Sequence, residues 1–444
     1  MTLLKYFGTD GIRGIAGKSP MTPNFMIKLG QIITEVFRSN KKKIIIGRDT
    51  RISGSMLQYS LEFGILSRGF STLLVNCIPT PAIAYLVRFF NASGGIVISG
   101  SHNIFYDNGV KIFSEDGVKL SNKKELFIEK KLKNFTYNCS YQENFGFSQI
   151  IKDASEKYIN FCKNIFSNNI NLSKFTIIID CANGSTYKIA PKIFQDLGGK
   201  VIIISNYPNG ININKNSGST NINQLKKLVI LKKADIGLAF DGDGDRVIMV
   251  DHLGNKINGD QIIYVIAKYY LKNNQLYGGV VGTLMTNMNI VLALKKLGIP
   301  FYASKIGDRY IYQTLKKKKW LLGAEQSGHI ILLDKHSTGD GIIASLQVLL
   351  IMIRNNKSLH CLSNQVKLLP QVLLNVIFDR NKDFEKDTKF QYVINQSKKF
   401  LGLNSRLFIR KSGTESYVRI MVEGENYNRI KKVARSIADV IKSI

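Results

Sequence analysis

Cysteine is sparse in this 444-residue chain and badly placed for cross-linking. The five residues, Cys77, Cys139, Cys162, Cys181 and Cys361, are odd in number and form no CxxC pair. That excludes a disulfide framework and a cysteine-based zinc site. Only eight prolines are present, so long disordered linkers are not expected. No uncharged apolar run approaches the ~18 residues of a membrane span. The opening MTLLKYFGTDGIRG lacks the basic start and apolar stretch of a secretory leader. A cytoplasmic chain without membrane contact is the expectation. A GxSxG nucleophile elbow is also missing, and with it that hydrolase class.

Acidic residues are in deficit, 32 against 62 Lys and Arg, for a formal charge of +30. Such a field favours anionic partners. The lysines, however, occur singly or in short runs such as Lys41–Lys43 and Lys316–Lys319, among many Ile and Asn, with no arginine–aromatic stripe. They read as a basic, solvated surface that attracts small anions, and no specific nucleic-acid partner is expected. Nothing in the sequence specifies an oligomeric state.

What is present suits several cores. Hydrophobic residues make up 44% and charged residues 21%, and the length is about three times a common domain size of roughly 150 residues. Apolar β-branched runs at Lys43–Gly47, Ser71–Asn76 and Gly95–Ser99 predict strands of a first α/β unit, residues 1–152. A helical pattern over Asp153–Ser167 leads into a second, 153–254, which opens with the βαβ signature Phe175–Asp180, turn and helix, Lys200–Ile204. A third α/β unit, 255–367, carries a helix over Gly259–Leu271 and a strand over Gly279–Thr283. From Leu368 the pattern alternates as in β segments and ends in a helix from Asn426, a smaller α+β unit, 368–444.

Five polar stretches interrupt these patterns. Asp241, Asp243 and Asp245 stand at alternate positions between two apolar strands, separated by Gly242 and Gly244 and followed by Arg246. Three carboxylates so close repel one another unless a cation joins them, and hard oxygen ligands suit Mg²⁺. A calcium EF-hand is excluded, because the sixth loop position is Arg246 and the twelfth is His252. The run Gly94–Ile98 delivers Ser101 and His102 into a polar turn, which taken alone reads as well as a capped turn as it does as a nucleophile. Arg410-Lys-Ser412-Gly413-Thr414-Glu415 joins a guanidinium fork, two hydroxyls and a permissive glycine, a set that surrounds phosphate. Gly8–Gly14 is a second glycine-punctuated loop and carries Arg13. Gly323–His329 brings Glu325, Gln326, Ser327 and His329 into one loop able to clasp sugar hydroxyls, with Gly307-Asp308-Arg309 upstream as support.

With GTDGIRG, GRDTRISG at Gly47–Gly54, the Ser101 loop, DGDGDR, GAEQSGH and RKSGTE in this order, the chain resembles the α-D-phosphohexomutase superfamily from end to end. The resemblance implies three mixed α/β domains and a smaller C-terminal α+β domain around a central cleft. It implies Ser101 as phosphoserine, and one Mg²⁺ held by Asp241, Asp243, Asp245 and an oxygen on Ser101. Glu325 and Ser327 would grip sugar hydroxyls. Arg410, Ser412, Gly413, Thr414 and Arg419 would hold the non-reacting phosphate, and Arg13, His102, Lys111, Arg246 and His329 would line the reacting end. Lys111 and His329 are both candidates for proton transfer. Gln326 and the FYDNGVK continuation look like the glucosamine subgroup. The implied reaction interconverts glucosamine 6-phosphate and glucosamine 1-phosphate through a 1,6-bisphosphate, with glucose or glucosamine 1,6-bisphosphate as activator, and supplies UDP-N-acetylglucosamine synthesis. Ile104 and Ser416 stand where the family usually has Pro; Gly100 replaces the Ala of the SASHNP pattern and resembles the TGSHNP form of other relatives in the superfamily. Losing the proline at Ile104 is expected to loosen the serine loop.

Overall fold

The structure, a computed structural model, describes residues 4–37, 41–139, 145–166, 170–378, 383–402, 404–411 and 417–443. Among these, every polar stretch that is described lies where a strand ends or turns. The first sheet holds β1 (Phe7–Gly8), β2 (Gly11–Ile15), β3 (Lys43–Arg48), β4 (Ser71–Cys77), β5 (Gly94–Ile98), β6 (Asp107–Ser114) and β7 (Ser148–Ile150). Their order is β1-β2-β6-β5-β3-β4-β7. β3, β4, β5 and β7 run parallel, and β6 turns back antiparallel to β5 with Ile98 opposite Val110. Ile44, Ile46, Ile96 and Ile98 are fully buried between helices, as continuous β-branched runs in a two-sided sheet require.

The second sheet contains β8 (Thr176–Asp180), β9 (Lys200–Ile204), β10 (Ile236–Phe240), β11 (Val247–Asp251) and β12 (Lys256–Ile257), ordered β12-β11-β10-β8-β9. The third contains β13 (Val280–Thr283), β14 (Phe301–Ser304), β15 (Leu322–Ala324) and β16 (Ile330–Leu332), ordered β14-β13-β15-β16. In each of these three sheets a strand with a parallel neighbour is followed by an antiparallel one: β5–β6, β10–β11 and β15–β16. The shared rhythm of the sequence is thus a shared topology. The connection between these paired strands is the serine loop in the first sheet, the acidic loop in the second and the Glu325 loop in the third.

These three sheets belong to one compact unit, residues up to Thr286 together with Leu294–Gln365. A second unit comprises Asn287–Ala293 and the chain from Val366. It is an antiparallel sheet of β17 (Gln371–Ile377), β18 (Ser405–Lys411) and β19 (Tyr417–Gly424), ordered β17-β19-β18. The helix Tyr427–Ser443 buries Ile430, Val433, Ile437 and Ile441 in its core at helical spacing. No described helix is long and apolar enough to cross a membrane. The five cysteines are free thiols.

Candidate active site

The acidic loop is built by its hairpin. Phe240 pairs with Val247, so Asp241–Arg246 must turn between them. Gly244 makes that turn at φ 72°, and its carbonyl accepts the amide of Gly341. The Asp241, Asp243 and Asp245 carboxylates thereby come within 4.8 Å of one another, all of them buried. Asp243 Oδ1 and Asp245 Oδ1 are buried without a hydrogen-bond partner. Hard, unpartnered, converging oxygens fit a divalent cation such as Mg²⁺. Burial together with the charges of Asp245 and Asp243 pushes Asp241 well above the carboxylate range. Against its own burial, Lys111, His329 and Arg246 hold Asp245 well below it.

Ser101 arrives from the first sheet and donates from Oγ to Asp241 Oδ2 at 2.8 Å. Its backbone is left-handed, φ 51°, and its amide donates to Ser99 Oγ at 2.9 Å. His102 Nδ1 lies 3.4 Å from Ser101 Oγ and 3.1 Å from an Arg246 guanidinium nitrogen. Burial, then Arg246 and Arg13, lower the His102 pKa to about 4, which makes the ring neutral and an acceptor.

Strand β6 places Lys111 opposite Val97, with Nζ 2.8 Å from Asp243 Oδ2 and 2.7 Å from Asp245 Oδ2. Burial works against its charge, but Asp10, Asp243 and Asp245 raise its pKa well above the ordinary lysine value. His329 is buried, with Nδ1 3.7 Å from Asp245 Oδ1 and Nε2 3.6 Å from Asp308 Oδ2. Its pKa is raised by those carboxylates against burial. Sequence reasoning left Lys111 and His329 unranked as proton-transfer groups. The geometry separates them, because three carboxylates lie within reach of Lys111 Nζ, whereas His329 Nε2 makes no hydrogen bond.

Glu325 Oε1 accepts the Gly307 amide at 3.0 Å, so the expected support from the upstream glycine is real. Arg309 turns away to pair with Glu125. Ser327 is exposed beside Glu325, and Gly328 at φ 95° lets the loop lie against the Val247 backbone. Arg13 donates to Ser99 O at 3.0 Å and to Asp10 Oδ2 at 2.5 Å.

Five participants carried no assigned role in the sequence reading: Asp10, Lys119, Thr80, Arg51 and Asn214. Asp10 pairs with Arg13, Lys111 and Lys119, and Lys119 also pairs with Asp308. Thr80 donates to Asp243 Oδ2 at 2.5 Å. Asp10 sits inside GTDGIRG and was in view, whereas Thr80 and Lys119 lie in stretches with no distinguishing signal. Arg51 and Asn214 hold the serine loop by its carbonyls. Arg51 donates to Ser101 O, Asn103 O and Ile104 O at 3.0, 2.7 and 2.5 Å, and Asn214 Nδ2 donates to Ser101 O and Asn103 O, both at 2.8 Å. Side-chain donors thus hold the carbonyls of the turn that lacks proline at Ile104.

In the second unit, the β18–β19 register sets Arg410 directly opposite Arg419. Ser412, Gly413 and Thr414 of the predicted phosphate loop, with Ser416, lie outside the described residues.

Comparison with known proteins agrees with this geometry. Family models described as phosphoglucomutase/phosphomannomutase match all along the chain: alpha/beta/alpha domain I at residues 4–138, domain II at 156–254, domain III at 258–368 and the C-terminal domain at 373–440. A curated relative named phosphoglucosamine mutase, from Buchnera aphidicola subsp. Acyrthosiphon pisum, is 62% identical over 443 residues, covering 100% of both chains. In fold, the chain is similar to a phosphoglucomutase/phosphomannomutase family protein from Burkholderia thailandensis, with TM-score 0.80 at 20% identity over 98% of this chain and 97% of that one. It is also similar to Aspergillus fumigatus N-acetylphosphoglucosamine mutase, solved with GlcNAc-6P and magnesium, with TM-score 0.67 at 16% identity over 99% and 96%.

Proposed function

The chain belongs to the phosphoglucomutase/phosphomannomutase family, and from that premise we propose that it interconverts glucosamine 6-phosphate and glucosamine 1-phosphate through phosphorylated Ser101 and a 1,6-bisphosphate. The contact between Ser101 Oγ and Asp241, inside a buried acidic cluster, carries this reading. The 62% identical relative's name supports the choice of an amino sugar.

A phosphoserine adds about −1.5 to −2 charges at neutral pH, which must be offset before an alcohol oxygen can approach. Bound by Asp241, Asp243, Asp245 and an oxygen on Ser101, one Mg²⁺ would act as a Lewis acid on the phosphoryl oxygens. Lys111, Arg13 and Arg246 stay charged and supply the remaining compensation. The substrate O1 forms a bond to phosphorus as the Ser101 Oγ–phosphorus bond breaks; the O1 proton passes to a base, and the released Ser101 Oγ takes up a proton to become a hydroxyl again. His329 is the proposed exchanger, because its Nε2, 3.6 Å from Asp308 Oδ2, makes no hydrogen bond among the described residues. Neutral His102 accepts from Arg246 and keeps that guanidinium at the reacting end.

Glu325 and Ser327 hold sugar hydroxyls. Arg410, Arg419 and the Ser412–Thr414 loop take the phosphate that is not reacting. The bisphosphate turns over and returns its original 6-phosphate to Ser101, releasing glucosamine 1-phosphate. Glucose 1,6-bisphosphate is the proposed activator, because it rephosphorylates a serine that has lost its group. A cytoplasmic location and delivery to UDP-N-acetylglucosamine synthesis belong to the same proposal.

The test is turnover of purified protein with glucose 1,6-bisphosphate and Mg²⁺. Glucosamine 6-phosphate is expected to react faster than glucose or mannose 6-phosphate. Equal or reversed rates overturn the substrate assignment.

A further inference from the structure

Ser101 adopts a left-handed backbone, φ 51°, which side chains other than glycine avoid because Cβ crowds the carbonyl. Such a conformation persists only where the surroundings over-determine it. Around Ser101 they do. The Arg51 guanidinium is buried, tied to Asp49 Oδ2 at 2.9 Å, and presents its remaining donors to the carbonyls of Ser101, Asn103 and Ile104. Asn214, itself left-handed at φ 57° and buried, donates from Nδ2 to the same carbonyls of Ser101 and Asn103. Asp49 also accepts from Ser99 Oγ at 2.6 Å, and Ser99 Oγ accepts the Ser101 amide.

Two of the departures named above, Gly100 and Ile104, lie at this place. A Cβ on Gly100 would lie 2.6 Å from Arg51 Cζ, so glycine leaves room for the guanidinium to lie flat on the loop. Ile104 lacks the ring that would restrict this turn, and its carbonyl is bound by Arg51 instead. Opposite them, a Cβ on Gly242 would meet Ser101 O at 2.5 Å, which shows how closely the acidic loop abuts the clamp.

We propose that Arg51 and Asn214 are positioning residues for phosphoryl transfer, together gripping the Ser101 and Asn103 carbonyls to aim Ser101 Oγ at the Asp241 cluster. This rests on Ser101 being the phosphoryl carrier. Neither residue touches the substrate; each acts through the backbone of the loop.

Asn214→Asp is the discriminating variant. Aspartate has the same shape and tolerates positive φ, but it turns a carboxylate toward two carbonyls that need donors. The expected result is a kcat lower by about a hundredfold with KM for the hexose phosphate within about twofold, as for a misaimed reacting group. Adding Ile104→Pro restricts the loop independently and is expected to restore about tenfold of the lost kcat. Gly100→Ala, which pushes the guanidinium off the loop, is expected to lower kcat by about tenfold on its own. Wild-type kcat in both Asn214→Asp and Gly100→Ala overturns the proposal. So does a double variant no faster than Asn214→Asp, since that is the behaviour of damage to the fold rather than of lost aim. These ratios are read on whichever hexose phosphate the wild type turns over, so failure of the glucosamine assignment shows separately.

Discussion

Ser101 Oγ and Asp241 Oδ2 meet at 2.8 Å although 140 positions separate them in the chain. One ends the parallel part of the first sheet and the other ends that of the second. Their meeting turns two glycine-rich hairpin loops into one candidate phosphoryl-transfer centre.

Replacing Ser101 with Ala removes the proposed carrier and little else, since the side chain is small and buried. Intact mass of the expressed wild type is expected to show a phosphorylated fraction that Ser101→Ala lacks. Mutase activity is expected to fall by at least about a thousandfold, as when a nucleophile is removed. A variant that keeps the phosphate mass would move the carrier elsewhere.

Asp241→Asn removes one carboxyl group of the cluster and leaves Lys111 paired with Asp243 and Asp245. Turnover is expected to drop by about a hundredfold or more, with a raised Mg²⁺ requirement. Chelation of the wild type is expected to abolish turnover reversibly. Activity assayed against Mg²⁺ concentration checks both, and an unchanged Mg²⁺ response in Asp241→Asn would contradict the assignment.

Glu325 is held by the Gly307 amide and is available to accept sugar hydroxyls. Glu325→Gln keeps its shape but weakens a charge-assisted hydrogen bond worth about 1.5–3 kcal/mol. Steady-state kinetics are expected to show kcat/KM reduced by roughly 10- to 100-fold, with no change in phosphorylation of Ser101. Unaltered kcat/KM would remove Glu325 from the sugar site.

Acid stability depends on a histidine outside the centre. His336 donates from Nε2 to the Pro81 carbonyl at 2.9 Å, and its Nδ1 accepts from the Ser337 amide at 2.9 Å and from Arg88 at 3.2 Å. It also lies 4.0 Å from Asp340. Burial, and then Arg88, lower its pKa from 6.5 to about 3, against the Pro81 bond that raises it. The unfolded chain therefore takes up a proton below pH 6.5 that the folded chain refuses. This contribution to stability is complete above pH 6.5 and is lost as pH falls towards about 3, by on the order of 5 kcal/mol in full. Thermal unfolding followed across this range is expected to show a shallower acid slope in His336→Gln, which retains a donor and cannot titrate. Identical slopes would remove His336 as a cause.

Much of the fold is legible in the chain because local physics dictates it. Ile44–Ile46 and Ile177–Ile179 are β-branched runs that suit a sheet buried on both faces, and they are strands. The DGDGDR turn announces its own chemistry, since three adjacent carboxylates call for a cation. Asn214 was illegible for the opposite reason. It sits in an asparagine-rich stretch where nothing marks one amide from its neighbours, and its role exists only because the loop folds onto Ser101 and Asn103. Lys119 was hidden likewise: a lone lysine just past β6, it joins Asp10 to Asp308 only once the chain is folded. The helix Gly341–Asn355 buries residues on every side, so no amphipathic period singles it out.

The sequence by itself determined which functional groups are present and which short turns carry them, because turn chemistry and strand patterning act over a few residues. The tertiary structure alone decided which of those groups meet and in what state of charge. Lys111 and His329 are equally plausible proton carriers on paper. Burial and Coulomb energy depend on distances of a few ångströms, and only the folded chain surrounds Lys111 with three carboxylates while leaving His329 Nε2 without a hydrogen bond.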